Sequence, residues 1–200
     1  RRRRGGGRRE REYENMRIRH LTETNLYFDT LDLPKGYEFD KEELIHDMIF
    51  SREVKNNLYQ TTTKDYYIEH SQNATRIYSY IRDHFSLKLV SNFENRKHLS
   101  FSKEIEWCNV LYPTEEYHSN GIISPVDLKH SPDFTAIYAV KTSPCDLIVY
   151  YDDNRRAGKS YKLDIKENEF YIFPSMLKYE ITKNNSDKIN YFYCMGLTHQ

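Results

Sequence analysis

The feature that most constrains the fold is a series of short segments, rich in aromatic and β-branched residues, between residue 87 and the end of the chain. The chain has 200 residues, including 18 tyrosines and 10 phenylalanines, and aromatic and β-branched residues favour β-strands. Turn-forming residues such as Gly158 separate several of the segments. We predict strands near residues 87–93, 100–111, 122–128, 134–141, 146–152, 161–165, 168–173, 178–183 and 189–197.

The sequence before residue 87 has helical periodicity. Asp40 and Glu43 have the spacing of a capping box, and apolar residues at helical spacing follow as far as about Leu58. A second helix is predicted over about 73–85, and a short entry strand over 25–29. Helices followed by about eight strands predict an α+β, mainly β fold in which N-terminal helices pack on a double-stranded β-helix, or jelly-roll, barrel.

The N-terminus differs in composition from the rest, so we predict a basic, extended or flexible arm over residues 1–24 and a single domain over 25–200. Two interpretations of the arm are open. It binds nucleic acid or an acidic neighbour through its charge, or it is a solvated tail. The arginines of the arm that we expect to contact a partner are Arg1, Arg2, Arg3, Arg4, Arg8 and Arg9.

Charge and cysteine content narrow the class of protein. Lys plus Arg and Asp plus Glu both number 30, so net charge gives no case for nucleic-acid or membrane binding by the whole chain. We expect no membrane association, because no segment has the length and apolarity of a membrane span. The three cysteines are far apart and form neither a disulfide framework nor a zinc pattern, which favours a reducing compartment.

Four segments resemble motifs of a known family in their order and spacing. They are Trp107-Cys108-Asn109, the stretch 128–138, Phe173-Pro174-Ser175 with the residues that follow to Ile181, and the stretch 187–190. Over about residues 25–197 the sequence resembles the phage-associated branch of the 2-oxoglutarate/iron(II) dioxygenases. The resemblance implies a jelly-roll barrel that holds iron in its interior.

The same resemblance implies that the metal site is degenerate. The family's ligands would fall at Leu128, His130 and Tyr179, whereas a facial iron site needs two imidazoles and a carboxylate. The arginine that pairs with 2-oxoglutarate in the family is absent, and Lys183 or Lys188 is its only substitute. We therefore predict no catalytic, cofactor-binding or metal-binding residues and no cofactor. Tyr179 is expected to fill the former pocket with its ring.

For His130 two roles are open, a metal ligand or a structural histidine hydrogen-bonded near Asp133. The hydrophobic core is a further prediction. We expect six side chains to be buried between the two sheets: Trp107, Phe134, Ile137, Val149, Ile172 and Phe192.

The predicted function is that of a non-catalytic structural or interaction protein. The phage resemblance favours a component of a tailed-phage virion (head, neck, tail or fibre-associated), assembled in the host cytoplasm, with other virion proteins or further copies of the chain as partners. If it is not in a virion, we expect it in the cytoplasm. One alternative is an active iron(II)/2-oxoglutarate hydroxylase with a rearranged site. Another is a nucleic-acid- or capsid-binding protein that acts through its arginine-rich arm.

We expect partner contacts at the arm and at the loops 112–126 and 153–160. Arginines and lysines suit acidic partners, and tyrosines suit interface anchors. Outside the arm, the predicted contact residues are Tyr112, Tyr117, Arg155, Arg156 and Lys159.

Overall fold

The computed structural model describes residues 24–54, 64–68, 71–92, 100–119, 131–152 and 158–200. The elements in chain order are β1 (Tyr27–Thr30), α1 (Lys41–Val54), β2 (Tyr66–Tyr67), α2 (Gln72–Asn92), β3 (Phe101–Leu111), β4 (Tyr117–His118), β5 (Phe134–Lys141), β6 (Asp146–Asp152), β7 (Lys159–Asp164), β8 (Glu169–Pro174), β9 (Lys178–Ile181) and β10 (Asn190–His199). The fold is mainly β with two helices, as the sequence predicts.

Within these ranges, the strands form two antiparallel sheets. The larger sheet has six strands in the order β1-β8-β5-β10-β3-β2, and the smaller has four in the order β4-β9-β6-β7. In both sheets, strands that are neighbours in space are often far apart in sequence. This arrangement of two antiparallel sheets is consistent with a jelly-roll fold.

The buried apolar residues form two cores, one on each face of the six-stranded sheet. Side chains of strand β10 alternate between the two faces. Phe192 and Cys194 point into a core between the two sheets, named here the inter-sheet core. Tyr193 and Met195 point to the opposite face of the six-stranded sheet, into a core shared with the helices, named here the helix-side core. Successive side chains of a strand point to opposite faces, so one strand contributes to both.

Each helix contributes one apolar stripe to the helix-side core. Helix α1 begins after Asp40, whose Oδ1 accepts a hydrogen bond of 2.9 Å from the Glu43 amide. This bond satisfies a free amide of the first turn. The buried residues of the two helices include Leu44 and Met48 in α1 and Ile77, Ile81, Phe85 and Leu89 in α2.

The predicted strand at 87–93 is wrong, because α2 continues to Asn92. Its apolar residues at intervals of four, up to and including the buried Leu89, extend the helical stripe. The short strands β2 and β4 were not predicted. The predicted strand 122–128 lies outside the described residues.

The predicted core residues divide between the two cores. Trp107, Ile137, Val149 and Phe192 lie in the inter-sheet core, as expected. Two of the six do not lie between the sheets, because their positions on the strands face the helices: Ile172 is buried in the helix-side core, and Phe134 is half-buried against it. No helix in the described part of the chain is long and apolar enough to cross a membrane.

Candidate functional site

Tyr179, at the position where the family resemblance places the third iron ligand, lies deep in the inter-sheet core. It belongs to β9, which runs between β4 and β6 in the four-stranded sheet. The strand alternates, so that Tyr179 and Ile181 point inward while Lys178 and Glu180 point outward. Only 1% of Tyr179 is exposed.

Aromatic rings surround the Tyr179 ring. Its centroid lies 5.1 Å from that of Phe173 and 5.4 Å from that of Tyr117. Burial holds the pKa of the Tyr179 phenol well above its ordinary value, because the charged phenolate is disfavoured in an apolar interior. The hydroxyl approaches that of Tyr117 but completes no hydrogen bond within the described structure.

A group of hydrogen-bonded side chains, named here the buried polar cluster, adjoins Tyr179 and consists of Asp65, Asn109, Tyr117 and Cys194. Oδ1 of Asp65 accepts hydrogen bonds from the Tyr117 hydroxyl at 2.8 Å and from Asn109 Nδ2 at 2.9 Å. The Cys194 thiol donates to Asn109 Oδ1 at 3.3 Å. All four residues are buried.

Strand pairing produces this cluster. The two-residue strand β2 pairs with β3 so that Tyr66 lies opposite Cys108, and this register brings Asp65 beside Asn109. The Asn109 side chain also donates to the Lys64 carbonyl oxygen at 2.7 Å. Nearby in the same core, the Trp107 Nε1–H has no hydrogen-bond partner in the described structure.

These residues do not fit an iron site. The four histidines that the structure describes (His46, His84, His118 and His199) are all exposed, and none reaches the inter-sheet core. Within the described ranges, no group of three or more histidine, cysteine or acidic side chains is arranged to hold a metal ion. The family resemblance implies an imidazole at the position where this chain has the phenol of Tyr179. Leu128 and His130 lie outside the described residues.

The side chains that could replace the 2-oxoglutarate arginine also do not face the interior. Lys183 and Lys188 are exposed. Asn190, at the start of β10, is fully buried, and its Oδ1 accepts a hydrogen bond of 2.7 Å from the Ser143 amide. Neither lysine is therefore placed to bind a carboxylate inside the barrel.

The segment that follows His130 is held against β10 and against the Phe173-Pro174-Ser175 corner. The Asp133 amide donates to the Leu197 carbonyl at 2.9 Å, and the Ser175 amide donates to the Asp133 carbonyl at 3.0 Å. A Cβ atom at Gly196 would lie 2.8 Å from side-chain atoms of Pro132. The two motif segments are thus in contact with each other through the bond between Asp133 and Ser175.

A cleft of about 310 Å³ opens between the sheets beside the edges β1 and β7. Its lining contains no charged side chain and meets the inter-sheet core at Phe173, a neighbour of Tyr179. The lining residues are Thr24, Asn25, Leu26, Phe28, Val149, Tyr151, Tyr161, Phe173 and Leu177.

The predicted contact residues that the structure describes differ in how far they are exposed to solvent. Tyr117 is only 4% exposed and belongs to the buried polar cluster. The structure thus corrects the prediction of an interface anchor there, because the tyrosine points inward from β4. Tyr112 is half-buried: the Arg52 guanidinium lies 3.7 Å from its ring centroid, and its hydroxyl donates to Glu53. Lys159 is exposed on β7.

The other predicted contact residues lie outside the described part of the chain. They are Arg1, Arg2, Arg3, Arg4, Arg8, Arg9, Arg155 and Arg156. Asp65, the acceptor at the centre of the buried polar cluster, was missed at the sequence level. It is a single acidic residue before a two-residue strand, and no motif marks it.

The sequence matches no protein-family model and no curated protein. Among solved structures, a prolyl-4-hydroxylase from Pseudomonas putida is similar with a TM-score of 0.55 at 12% identity, over 88% of this chain and 94% of that one. An oxidoreductase of the 2OG-Fe(II) oxygenase family from Burkholderia pseudomallei gives a TM-score of 0.51 at 7% identity, over 86% and 85%.

A non-heme α-ketoglutarate-dependent epimerase from nogalamycin biosynthesis gives a TM-score of 0.52 at 8% identity, over 88% of this chain and 76% of that one. The fold is therefore similar to that of the 2-oxoglutarate/iron(II) oxygenases. At identities this low, the likeness establishes the fold and no activity.

Proposed function

We propose that this chain is a non-catalytic jelly-roll module that acts by binding other macromolecules rather than by oxidising a substrate. The observation that carries the proposal is Tyr179. A buried phenol with a raised pKa stands where the family resemblance places the third iron ligand, and the rings of Tyr117 and Phe173 pack against it. A neutral phenol is a poor metal ligand, and its ring occupies volume that an iron site would need.

Two further observations support this proposal. The buried polar cluster satisfies its own hydrogen bonds around Asp65, and Lys183 and Lys188 are exposed rather than turned inward. A barrel interior of this kind contributes stability, and the outer faces, edges and loops remain available for binding.

The narrower form of the proposal is a component of a tailed-phage virion. Its support is the phage-associated character of the sequence motifs alone. In this form the arm and the loops 112–126 and 153–160 contact neighbouring virion proteins, and the arginines of the arm serve acidic partners or nucleic acid.

The second candidate function is an active 2-oxoglutarate/iron(II) oxygenase, and its support is the similarity of fold alone. In that case His130 and ligands other than Tyr179 would hold the metal. The two candidates differ in one measurable property, the stoichiometric binding of Fe(II).

The experiment is an anaerobic titration of the full chain with Fe(II), followed by an assay for succinate formed from 2-oxoglutarate. We expect no tight one-to-one binding and no succinate above the level of a protein-free control. His130→Ala and Tyr179→Phe serve as paired variants, and neither should change the weak background of bound iron. One-to-one binding that His130→Ala abolishes would overturn the proposal, and succinate formation that is lost in the same variant would establish the oxygenase activity.

A further inference from the structure

Among the described strands, the four sheet edges differ in how they are protected from pairing with another strand. Edges β2 and β4 are only two residues long. Edge β7 exposes Lys159 and Lys162, and its pairing with β6 contains a register shift. Short length, lysines and irregular pairing all hinder the addition of a further strand. Edge β1 has four residues and none of these protections.

The single charge on β1 is turned back onto the protein. One carboxylate oxygen of Asp29 accepts a hydrogen bond of 2.8 Å from the Thr30 amide, and the other lies 2.9 Å from His84 Nε2. Together with the nearby positive charge of Lys88, these contacts lower the pKa of Asp29, the Thr30 amide having the largest effect. Asp29 therefore shields the edge less than an outward-pointing charge would.

The register of β1 against β8 determines which backbone groups face outward. The Leu31 amide donates to the Asn168 carbonyl at 2.9 Å. Because such pairs alternate along an antiparallel ladder, Tyr27 and Asp29 also bond towards β8, while Phe28 and Thr30 direct their backbone groups away from the sheet. The Thr30 amide is bound by Asp29, so Phe28 offers both an outward amide and an outward carbonyl.

A concave surface lies on each side of this edge. The Phe28 side chain is 58% exposed, stacks on Tyr171 with a centroid distance of 6.5 Å, and lines the uncharged cleft between the sheets. On the other face, a groove of about 490 Å³ is lined by Tyr27, Asp29, Lys88 and neighbouring residues. A strand added to β1 would place alternate side chains beside the cleft and the groove.

We propose that β1 pairs antiparallel with β1 of a second copy of this chain, about a two-fold axis at Phe28. The outward amide and carbonyl of one Phe28 are complementary to those of the other, as an isologous interface requires. In this register Phe28 lies opposite Phe28, and Tyr27 of each copy lies opposite Asp29 of the other. No like charges therefore face each other directly across the pair.

Charge also favours a second copy over an oppositely charged partner. The groove contains both Asp29 and Lys88, the cleft lining is uncharged, and the net formal charge of the chain is zero. Two copies thus approach without net repulsion. This inference goes beyond the proposed function and holds whether or not the barrel binds iron.

Sedimentation equilibrium of the full chain from micromolar to millimolar concentration tests the proposal. The average mass should rise with concentration from that of a monomer towards that of a dimer. Phe28→Pro removes the outward amide and should weaken association by about tenfold or more, because the pair loses both Phe28 amide donors. Phe28→Ala retains the amide and should weaken association less. Phe50→Ala changes another exposed phenylalanine (48% exposed), on α1, and should have no effect.

A cross-linking experiment tests the proposed pairing of β1 with β1 of a second copy even if Phe28→Pro fails to fold. Residues in a hydrogen-bonded antiparallel pair have Cα atoms about 5.5 Å apart, within the range of a disulfide. Phe28→Cys should therefore give covalent dimers under mild oxidation, while Phe50→Cys should remain monomeric. A wild-type chain that stays monomeric at all concentrations would overturn the proposal. So would cross-linking of Phe28→Cys no faster than that of Phe50→Cys.

Discussion

The two faces of the six-stranded sheet bury similar kinds of apolar residue, yet they differ in their polar groups. In the helix-side core, the buried Tyr193 hydroxyl donates to Glu106 at 2.7 Å, and Glu106 is paired with Lys103. In the inter-sheet core, the hydroxyl of Tyr179 and the indole N–H of Trp107 have no hydrogen-bond partner in the described structure. In the described part of the chain, the buried tyrosine and tryptophan side chains whose polar groups have no hydrogen-bond partner therefore lie in the inter-sheet core.

The largest change in the free energy of unfolding is expected for substitutions that test whether the inter-sheet core is as well packed as the helix-side core. Trp107→Ala should lower the free energy of unfolding by about 3–5 kcal/mol, as large-to-small changes in packed cores do. Phe85→Ala is the matched variant in the helix-side core and should cost a similar amount, about 3–5 kcal/mol. Chemical denaturation measures both. A cost below about 1 kcal/mol for Trp107→Ala alone would indicate a loosely packed, pocket-like interior.

The next effect concerns the buried polar cluster. Asp65→Ala should lower the free energy of unfolding by about 1–3 kcal/mol, because the buried Tyr117 hydroxyl loses its acceptor. The double variant Asp65→Ala with Tyr117→Phe should recover part of this loss, since it removes the unsatisfied donor as well. Additive costs in the double variant would contradict the bond between these two groups.

A smaller change in the free energy of unfolding is expected when the hydroxyl groups of two buried tyrosines are removed in turn. Tyr193→Phe should lower the free energy of unfolding by about 1–3 kcal/mol, because its hydroxyl donates to Glu106. Tyr179→Phe should change stability by less than about 0.5 kcal/mol or increase it, because no hydrogen bond is lost. Thermal and denaturant unfolding of the two variants test this. Equal losses would mean that the Tyr179 hydroxyl has a partner that stabilises the fold.

The smallest effect is expected on the outer face of the four-stranded sheet, outside both cores. His118 lies between Glu116 at 3.0 Å and Glu180 at 3.1 Å, and its pKa is raised, chiefly by the hydrogen bond to Glu116. A raised folded-state pKa means that the stabilisation is complete below the unfolded value of about 6.5. It is lost as the pH rises through the folded value.

The comparison of wild type with His118→Gln at pH 5.5 and pH 8 measures this contribution. The wild type should lose slightly more stability than the variant between these two pH values. Since His118 and Glu116 are exposed and Glu180 is partly exposed, salt should reduce the difference. A variant with the same pH dependence as the wild type would indicate that the contacts of His118 with the two glutamates contribute nothing.

The strands were predictable where the local pattern is strong. The predicted ranges 134–141 and 146–152 coincide with β5 and β6, because aromatic and β-branched residues fill both segments and turn residues bound them. The end of α2 was not predictable from the same reasoning. The apolar residues between Leu87 and Val90 fit the spacing of a strand as well as that of a helix. The helix forms because Leu89 packs in the helix-side core.

The candidate site was predictable only in part, for a physical reason. The position of Tyr179 follows from the spacing of the Phe173-Pro174-Ser175 segment. Its burial agrees with the expectation that its ring fills the interior. The pairing of Asp65 with Asn109 and Tyr117 joins residues 44 and 52 positions apart in sequence. Such contacts depend on long-range strand pairing, which no local pattern encodes. The inward orientation of Tyr117 has the same origin.

Burial of the cysteines gives the folded chain an unusual chemical property. Cys108, Cys145 and Cys194 are all buried free thiols. Burial raises the pKa of Cys145 to about 12 and raises those of the other two as well. Thiolate, the reactive form, is thus scarce in the native state. A thiol-specific reagent should leave the folded protein unmodified and should label all three positions on unfolding, so that the extent of labelling reports the unfolded population without any engineered cysteine.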